Sequence, residues 1–155
     1  IMHFWGGEPK GPHATGKDSW EAVMKPAGFR NFGYGWDRIE NVLWRVYHGE
    51  LDGFDAEKVV IKIGTNNLGA HSDDEIMNGL RFLLKAIHQR QPEAKIKVAD
   101  LNKRIQQLTK EDGYSFTDVS RFLLLSNGKI DESLFTDGLH PNAKGYSLIA
   151  KEIAE

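Results

Sequence analysis

The chain alternates between two patterns of apolar and polar positions. In one, apolar residues recur every three or four positions, which predicts amphipathic helices; in the other, short runs are rich in β-branched residues, which predicts strands. Helices are predicted over 36–51, 72–92, 101–113 and the last residues, with apolar stripes at Ile39, Val42, Leu43 and Val46, at Ile76, Leu80, Leu83, Leu84 and Ile87, and at Tyr146, Ile149, Ala150 and Ile153. Strands are predicted over 28–33, 58–63, 94–99 and 114–120.

Polar residues mark where several of these helices begin. Ser72 with Glu75 forms a capping-box pattern, and Asp37 is placed as the N-cap of its helix with Glu40 three residues on. Ser19 precedes "WEAVM" and is interpreted as another helix N-cap rather than as a nucleophile.

The order of these elements predicts the fold class. Strands that alternate with amphipathic helices indicate an α/β protein with a parallel sheet covered on both faces. A chain of 155 residues is expected to form a single domain over 1–155. Ligands of such sheets bind beyond the carboxyl ends of the strands, so residues 33–37, 64–67 and 137–140 are expected to meet at one edge.

Composition removes several function classes. A net charge of −2 and a pI near 6.3 argue against a general nucleic-acid-binding surface. No apolar run approaches the roughly 20 residues that span a bilayer. The absence of cysteine excludes disulfides, thiolate metal sites and a cysteine nucleophile. The compartment and a homo-oligomeric state are left open, with the periplasm or secretion favoured over the cytoplasm. No leader is visible, although the abrupt start at "IMHFW" is compatible with one that is cleaved or missing.

The stretch "TDGLHPNAKGY" carries the first candidate chemistry. Pro141 disfavours a helical conformation for His140 and suits the first position of the helix that follows. In the resulting loop, Asp137 can bind one ring nitrogen of His140 and leave the other free to take a proton, as in a nucleophilic triad. The alternative is a surface loop in which the aspartate caps a turn and the histidine is solvated.

A second candidate group follows the predicted strands. Gly33 and Gly35 permit backbone geometries that aim a peptide N–H at a ligand, and the side chain of Asn66 supplies another donor. Two converging donors stabilise the oxyanion of acyl transfer by about 2.7–4 kcal/mol each. The alternatives are ordinary turn roles for these residues and a packing role for Trp36.

Three stretches together, "NFGYGWDRIENVLWRVYHGEL", "IKIGTNN" and "DGLHPNAKGY", resemble conserved blocks of the SGNH (GDSL-type) hydrolases. The similarity is to the branch that contains the platelet-activating-factor acetylhydrolase subunits. It implies a flavodoxin-like three-layer α/β/α sandwich and a serine nucleophile that needs no cofactor and no metal. It also implies that Asn66 is the oxyanion asparagine, with Asp137 as the orienter and His140 as the base. The family glycine of the oxyanion hole falls on Trp36, whose N–H is the expected donor, with Gly35 as the alternative.

Two departures from the family pattern stand out. The resemblance places the nucleophile in a Gly-Asp-Ser motif after a first strand, and both are expected immediately before Ile1. In "KIKVADLNKRI" a strand passes into a helix with almost no connection, although strand-to-helix loops usually need about 2–6 residues. Either this loop is trimmed or residues are omitted near Ala99 and Asp100.

The leading hypothesis is a serine esterase that removes a short acyl group, by preference an acetyl group carried by a carbohydrate. Trp5, Tyr34 and Gly35 are expected in the substrate pocket. A phospholipid-type acetyl ester is an alternative substrate. From another class, the fold could bind acetylated glycans or esters without cleaving them. A metal site built from His3, His13 and Asp18 is disfavoured, because their spacing resembles no ligand set.

Overall fold

The computed structural model describes residues 1–7, 10–100 and 103–154. In chain order its elements are α1 (Met2–Trp5), α2 (Lys17–Ser19), a π-helical turn (Trp20–Met24), α3 (Ile39–Tyr47), β1 (Lys58–Ile61), a 3₁₀ turn (Thr65–Asn67), α4 (Asp73–Arg90), β2 (Lys95–Asp100), α5 (Lys103–Glu111), β3 (Ser115–Asp118), α6 (Ser120–Leu123), a 3₁₀ turn (Glu132–Leu134) and α7 (Ala143–Ala154). The chain divides into a central unit, Trp36–Thr117, and a split unit made of Ile1–Gly35 and Asp118–Glu155.

The central unit contains a parallel three-stranded sheet in the order β1-β2-β3, with flanking helices. Strands β1 and β2 pair in register from Lys58 opposite Lys95 to Ile61 opposite Val98. The predicted α/β class and three of the four predicted strands are therefore confirmed. One core joins these elements, formed by Ile39, Val46, Leu51, Ile61, Leu80, Leu83, Leu84, Ala86, Ile87, Ile96, Val98, Ile105 and Leu108.

Helix α4 begins as its sequence predicts. The Ser72 hydroxyl accepts from the backbone N–H of Glu75 at 3.3 Å, and the Glu75 carboxylate accepts from the backbone N–H of Ser72 at 2.8 Å. These two bonds satisfy backbone donors that have no partner within the helix. Strand β2 includes Ala99 and Asp100, near which residues were expected to be omitted, helix α5 begins at Lys103, and the connecting positions 101 and 102 lie outside the described ranges.

Helix α3 begins differently from its prediction. Asp37 does not cap it, because its carboxylate binds the Arg45 guanidinium through two bonds of 3.1 and 2.6 Å. The cap residue is Arg38. The first helical N–H, that of Ile39, is satisfied by the side-chain oxygen of Asn67 at 3.1 Å. Asn67, which is 28 positions after Ile39, thus provides the capping bond that was predicted for Asp37.

In the split unit, Trp5 and Ser19 differ from their predicted roles. Trp5 has no exposed surface and packs against the rings of Trp20 and Tyr146. Its indole N–H donates to the Ser19 hydroxyl at 3.0 Å, and that hydroxyl donates to the carbonyl oxygen of Gly16 at 2.9 Å. Ser19 therefore stands at the predicted N-cap position of the turn Trp20–Met24, but its buried side chain makes no capping bond and bonds to Trp5 and Gly16 instead. The expectation that Trp5 lines a substrate pocket is wrong, because its ring has no free face.

The strand predicted over 28–33 does not form, although all six residues lie in the described part of the chain. Backbone carbonyls of the preceding turn accept from the N–H groups of Gly28 and Phe29, and side chains bind both backbone groups of Gly33. Asn31 donates to the carbonyl oxygen of Met2 at 2.7 Å and accepts from the N–H of Gly33 at 2.9 Å. The His3 ring donates to the carbonyl oxygen of Gly33 at 3.0 Å. These bonds hold the segment against α1 without a sheet.

Helix α7 buries Tyr146, Ile149, Ala150 and Ile153, as its spacing predicts. It begins at Ala143 and not at Pro141, since Pro141 forms an antiparallel bridge with Phe135. The side-chain oxygen of Asn142 accepts from the N–H groups of Lys144 and Gly145 at 3.0 and 3.1 Å and so caps the helix. No helix in the described ranges is long and apolar enough to cross a bilayer.

Candidate active site

The segment between Leu134 and Asn142 is a closed loop of the split unit. The N–H of Asn142 donates to the carbonyl oxygen of Leu134 at 2.8 Å, and the N–H of Thr136 donates to that of His140 at 2.9 Å. At the tip, Gly138 has a φ of 82°, which a residue without a Cβ adopts at no steric cost. These bonds join the two arms of the loop, so Asp137 and His140 lie close together.

Asp137 shapes this loop and also binds the imidazole. Its Oδ1 accepts from the backbone N–H groups of Leu139 and His140 at 2.9 and 2.7 Å. Its Oδ2 accepts from Nδ1 of His140 at 2.7 Å. The backbone and ring donors of His140, aided by the Leu139 N–H, hold the pKa of the Asp137 carboxyl well below its usual range. The carboxylate therefore stays ionised, and Nε2 of His140 keeps the lone pair with which a base acts.

His13 lies against this pair, which sequence analysis did not anticipate. Its ring stacks on that of His140, with centroids 4.5 Å apart and planes inclined by 26°. Its Nδ1 lies 2.8 Å from the Thr136 hydroxyl and 3.7 Å from Oδ2 of Asp137. The Phe4 ring contacts both imidazoles, at centroid distances of 5.9 and 5.5 Å. Since 123 positions separate His13 from Thr136, no local spacing could have revealed this contact.

Asn66 lies in the central unit, on the 3₁₀ turn that follows β1. Gly64 precedes the turn with a φ of 110°, so glycine is needed where the strand ends. The Asn66 amide nitrogen donates to the carbonyl oxygen of Asp37 at 2.9 Å. An amide group carries two N–H donors, and this bond uses one of them.

Trp36 has two unusual properties. Its φ is 64°, the left-handed region, and no other non-glycine residue in the described ranges has a positive φ. Its side chain is 90% exposed, although large apolar side chains are normally buried. Strain of this kind persists only where the surrounding structure imposes it, and it concentrates at functional sites.

An open cleft of about 560 Å³ adjoins these residues within the central unit. Its lining is formed by Trp36, Arg38, Glu40, Asn41, Thr65, Asn66 and Leu68. Burial opposes ionisation of Glu40, but bonds from its own backbone N–H and from Asn67, with the charges of His71 and Arg38, lower its pKa overall. The cleft therefore combines one exposed aromatic ring with charged and amide groups.

Asn67 binds residues at the edge of this cleft and is a second residue to which the sequence analysis assigned no role. It is 3% exposed, and its side chain accepts from the N–H of Ile39 and donates to the carboxylate of Glu40 at 2.9 Å. The sequence signal was the doubled asparagine after a strand, of which only Asn66 was assigned a role. The two neighbours divide the work, because Asn66 faces the cleft and Asn67 anchors the start of α3.

The remaining predicted pocket residues belong to the split unit. Tyr34 is 54% exposed. Gly35 is exposed and has no positive φ, so its backbone conformation does not require glycine. A Cβ placed at Gly35 would lie 3.5 Å from the His3 ring, which leaves room for a side chain. Trp5, in contrast, is buried in the core of this unit.

A family model describing GDSL-like lipases and acylhydrolases matches residues 4–148. The chain belongs to this family. The resemblance to SGNH hydrolases drawn from three short stretches is therefore confirmed. Membership in this family is consistent with a carboxylic ester hydrolase.

Curated relatives point to the expected branch. The chain is 28% identical over 152 residues to platelet-activating factor acetylhydrolase IB subunit alpha1 of Pongo abelii, covering 86% of this chain and 65% of that protein. It is 30% identical over 154 residues to the alpha2 subunit of Rattus norvegicus, covering 88% and 67%. The chain thus spans about two thirds of the length of these relatives.

A solved structure supports the fold. The crystal structure of a GDSL-like lipase from Bacteroides thetaiotaomicron matches with a TM-score of 0.72 and 17% identity, covering 86% of this chain and 77% of that one. At this identity the likeness establishes the α/β fold alone.

Proposed function

We propose that the chain is the catalytic domain of a serine esterase that removes a short acyl group, by preference acetyl, through an acyl-enzyme. The observation that carries this proposal is the 2.7 Å bond between Asp137 and Nδ1 of His140, within a chain of the GDSL-like family. The family resemblance extends the proposal to a single domain over 1–155 with a flavodoxin-like three-layer sandwich.

The base chemistry follows from the tautomer that Asp137 imposes. With its proton on Nδ1, His140 accepts the hydroxyl proton of the nucleophilic serine at Nε2 and becomes an imidazolium that the carboxylate stabilises. The imidazolium then returns the proton to the leaving alcohol, and water releases the acid by the same route. The resemblance assigns the nucleophile to a Gly-Asp-Ser motif that precedes Ile1 in family order.

The oxyanion donors of the proposal are Asn66 and the backbone N–H of Trp36. The bond from Asn66 to the carbonyl oxygen of Asp37 fixes the amide plane and leaves its second N–H for a ligand. The left-handed backbone at Trp36 favours an N–H donor role there, since glycine is the residue that normally adopts this geometry. Gly35 is the alternative backbone donor.

The cleft supports a polar alcohol portion for the ester. Its volume of about 560 Å³ lies in the usual range for small-molecule sites. The exposed ring of Trp36 offers an apolar face, and Arg38, Glu40 and Asn41 offer groups that bind hydroxyls. An acetylated carbohydrate combines both features. The names of the acetylhydrolase relatives favour acetyl as the acyl group.

Labelling with a fluorophosphonate probe tests this proposal. The full-length protein is incubated with the probe, and the modified peptide is located by mass spectrometry. One adduct on a serine outside the residues described above, lost in His140→Ala, is the expected result. Ser19→Ala is the control and should label as fully as the parent, because Ser19 holds the Trp5 indole. Absence of any adduct from the folded protein would overturn the esterase and favour the ester-binding module.

A further inference from the structure

Three metal-ligating side chains of the split unit converge at the candidate base. His13, Asp137 and His140 each offer one ligand atom, and these atoms lie within 4.8 Å of one another. In the part of the chain that the structure describes, no other group of three histidine or acidic side chains is arranged in this way. The trio considered from sequence, His3, His13 and Asp18, is not this cluster, since only His13 belongs to both.

We propose that His13, Asp137 and His140 bind a Zn²⁺ ion, and that bound zinc suppresses hydrolysis. The suppression rests on the proposed function, whereas the binding does not. Imidazole nitrogen and carboxylate oxygen are zinc ligands at about 2.0–2.2 Å, which sets tetrahedral ligands roughly 3.3 Å apart. One ligand atom from each of the three residues lies within 4.8 Å of those of the other two, a separation of the same order.

The surroundings prepare His13 for this role. The Thr136 hydroxyl donates to the carbonyl oxygen of His140 at 3.1 Å, so its oxygen accepts from Nδ1 of His13. That bond leaves Nε2 of His13 with a free lone pair. Zinc-binding histidines commonly donate their second ring N–H to such an outer partner, which fixes the ring. The Phe4 contact with both imidazoles limits their rotation further.

Accessibility and charge also suit a cation. The side chains of His13, Asp137 and His140 are 29%, 35% and 21% exposed, so an ion can reach them from solvent. The carboxylate of Asp137 is the anionic ligand of the cluster. Three protein ligands leave a fourth position for water, and the imidazoles favour zinc over magnesium, which prefers oxygen ligands.

Zinc at this cluster removes the base whichever nitrogen of His140 it takes. On Nε2 it occupies the atom that would accept the serine proton. On Nδ1 it replaces the proton that forms the hydrogen bond to Asp137. The ring proton then resides on Nε2, which can no longer accept the serine proton. His13 alone among the three ligands has no part in the proposed hydrolysis, so it separates zinc binding from catalysis.

Calorimetric titration of the full-length protein with zinc chloride tests the binding directly. One ion per chain is expected, with no comparable heat from magnesium chloride. In His13→Asn the zinc affinity should fall by more than the about 10–100-fold that loss of an outer partner costs. The matched control is His88→Asn, which alters an exposed histidine of α4 in the central unit and should bind zinc like the parent. No stoichiometric zinc binding by the parent, or unchanged affinity in His13→Asn, would overturn the proposal.

A second variant covers a His13→Asn protein that fails to fold. Thr136→Val removes the hydroxyl that is the outer partner of His13, together with the bond from that hydroxyl to the carbonyl oxygen of His140, and zinc affinity should fall by about 10–100-fold. Ester hydrolysis is then measured against zinc concentration. The zinc concentration that halves the rate should rise in Thr136→Val by the same factor as the dissociation constant for zinc. Equal inhibition of the parent and of Thr136→Val would overturn the link between this zinc site and catalysis. Zinc binding without hydrolysis by any form would instead contradict the proposed esterase and leave the metal site standing.

Discussion

The two loops that carry candidate chemistry are built in opposite ways. In the split unit, the bonds that close the 134–142 loop join residues within nine positions of each other, and Asp137 contributes three of them, while His13 and Thr15 bond to Thr136 and Pro141 from the beginning of the chain. In the central unit, the 65–67 turn is tied to residues 27–29 positions away, through Asn66 and Asn67. The first loop is shaped mainly by bonds within itself, while the second takes its geometry from the start of α3.

This difference determines how damage should spread. A local loop keeps its shape when distant packing changes, so variants of its chemical groups should affect activity and little else. A loop held by long-range bonds couples chemistry to folding, because the donors are placed by the element they also stabilise. Adjacent residues of the central turn should therefore give different phenotypes, and variants at five positions test this contrast.

The largest effect is expected at His140. His140→Ala should lower kcat for a chromogenic acetyl ester by about 10⁴-fold or more, since the base is lost. Asp137→Asn should lower it by about 10⁴-fold, because the amide oxygen can still accept the two backbone N–H groups while its NH₂ faces Nδ1 and favours the wrong tautomer. Thermal unfolding should be close to that of the parent for both. A large loss of stability in Asp137→Asn would show that the loop is not locally encoded.

Asn66 should give the next largest effect. Asn66→Ala removes one oxyanion donor and should lower kcat by about 10²–10³-fold. The free energy of unfolding should change little, because only one partly buried bond to Asp37 is lost. Initial rates with the acetyl ester and urea unfolding measure the two quantities. Full activity in this variant would remove Asn66 from the proposed oxyanion hole.

Asn67 supplies the matched neighbour. Asn67→Ala should lower the free energy of unfolding by about 1–3 kcal/mol, because the buried N–H of Ile39 loses its partner and the start of α3 loses its cap. Its kcat per folded molecule should stay far closer to the parent than that of Asn66→Ala. Equal kcat losses in the two variants would mean that the catalytic role does not belong to Asn66 alone and the structural role to Asn67 alone.

The last prediction concerns Trp36 and compares the stabilities of two of its variants. Trp36→Gly should be more stable than Trp36→Ala by about 1 kcal/mol, because glycine adopts a φ of 64° without the penalty that a Cβ carries. Both variants lose the exposed ring, so both should raise KM for an acetylated sugar by a similar factor. Equal stabilities would show that the left-handed backbone at this position is not retained.

The same contrast explains what sequence analysis could predict. The capping box of α4, the apolar face of α7 and the Asp137–His140 pair all depend on residues a few positions apart, so their spacing was informative. The N-cap of α3 was wrongly assigned to Asp37, because Asn67 and Arg45 compete for the same groups from elsewhere in the chain. Local patterns were therefore reliable where local bonds dominate.

Long-range contacts account for the other differences. Trp5 was expected at a surface, yet the rings of Trp20 and Tyr146 enclose it. The segment 28–33 has strand-like composition, but the side chains of Asn31 and His3 bind the backbone groups of Gly33 where a strand would form ladder bonds. His13 gave no usable signal. In each case a partner remote in sequence decided the outcome.

Gly145 links the C-terminal helix to the loop that holds the candidate base. A Cβ at this position would lie 2.5 Å from the carbonyl oxygen of Leu134, so the backbones of α7 and the loop touch with no space for a methyl group. The Asn142 bonds lie beside this contact. Local unfolding of α7 and opening of the 134–142 loop should therefore occur together. The backbone amide hydrogens of both segments should exchange with solvent as one cooperative unit. The His140 imidazole therefore keeps its position only while α7 stays folded.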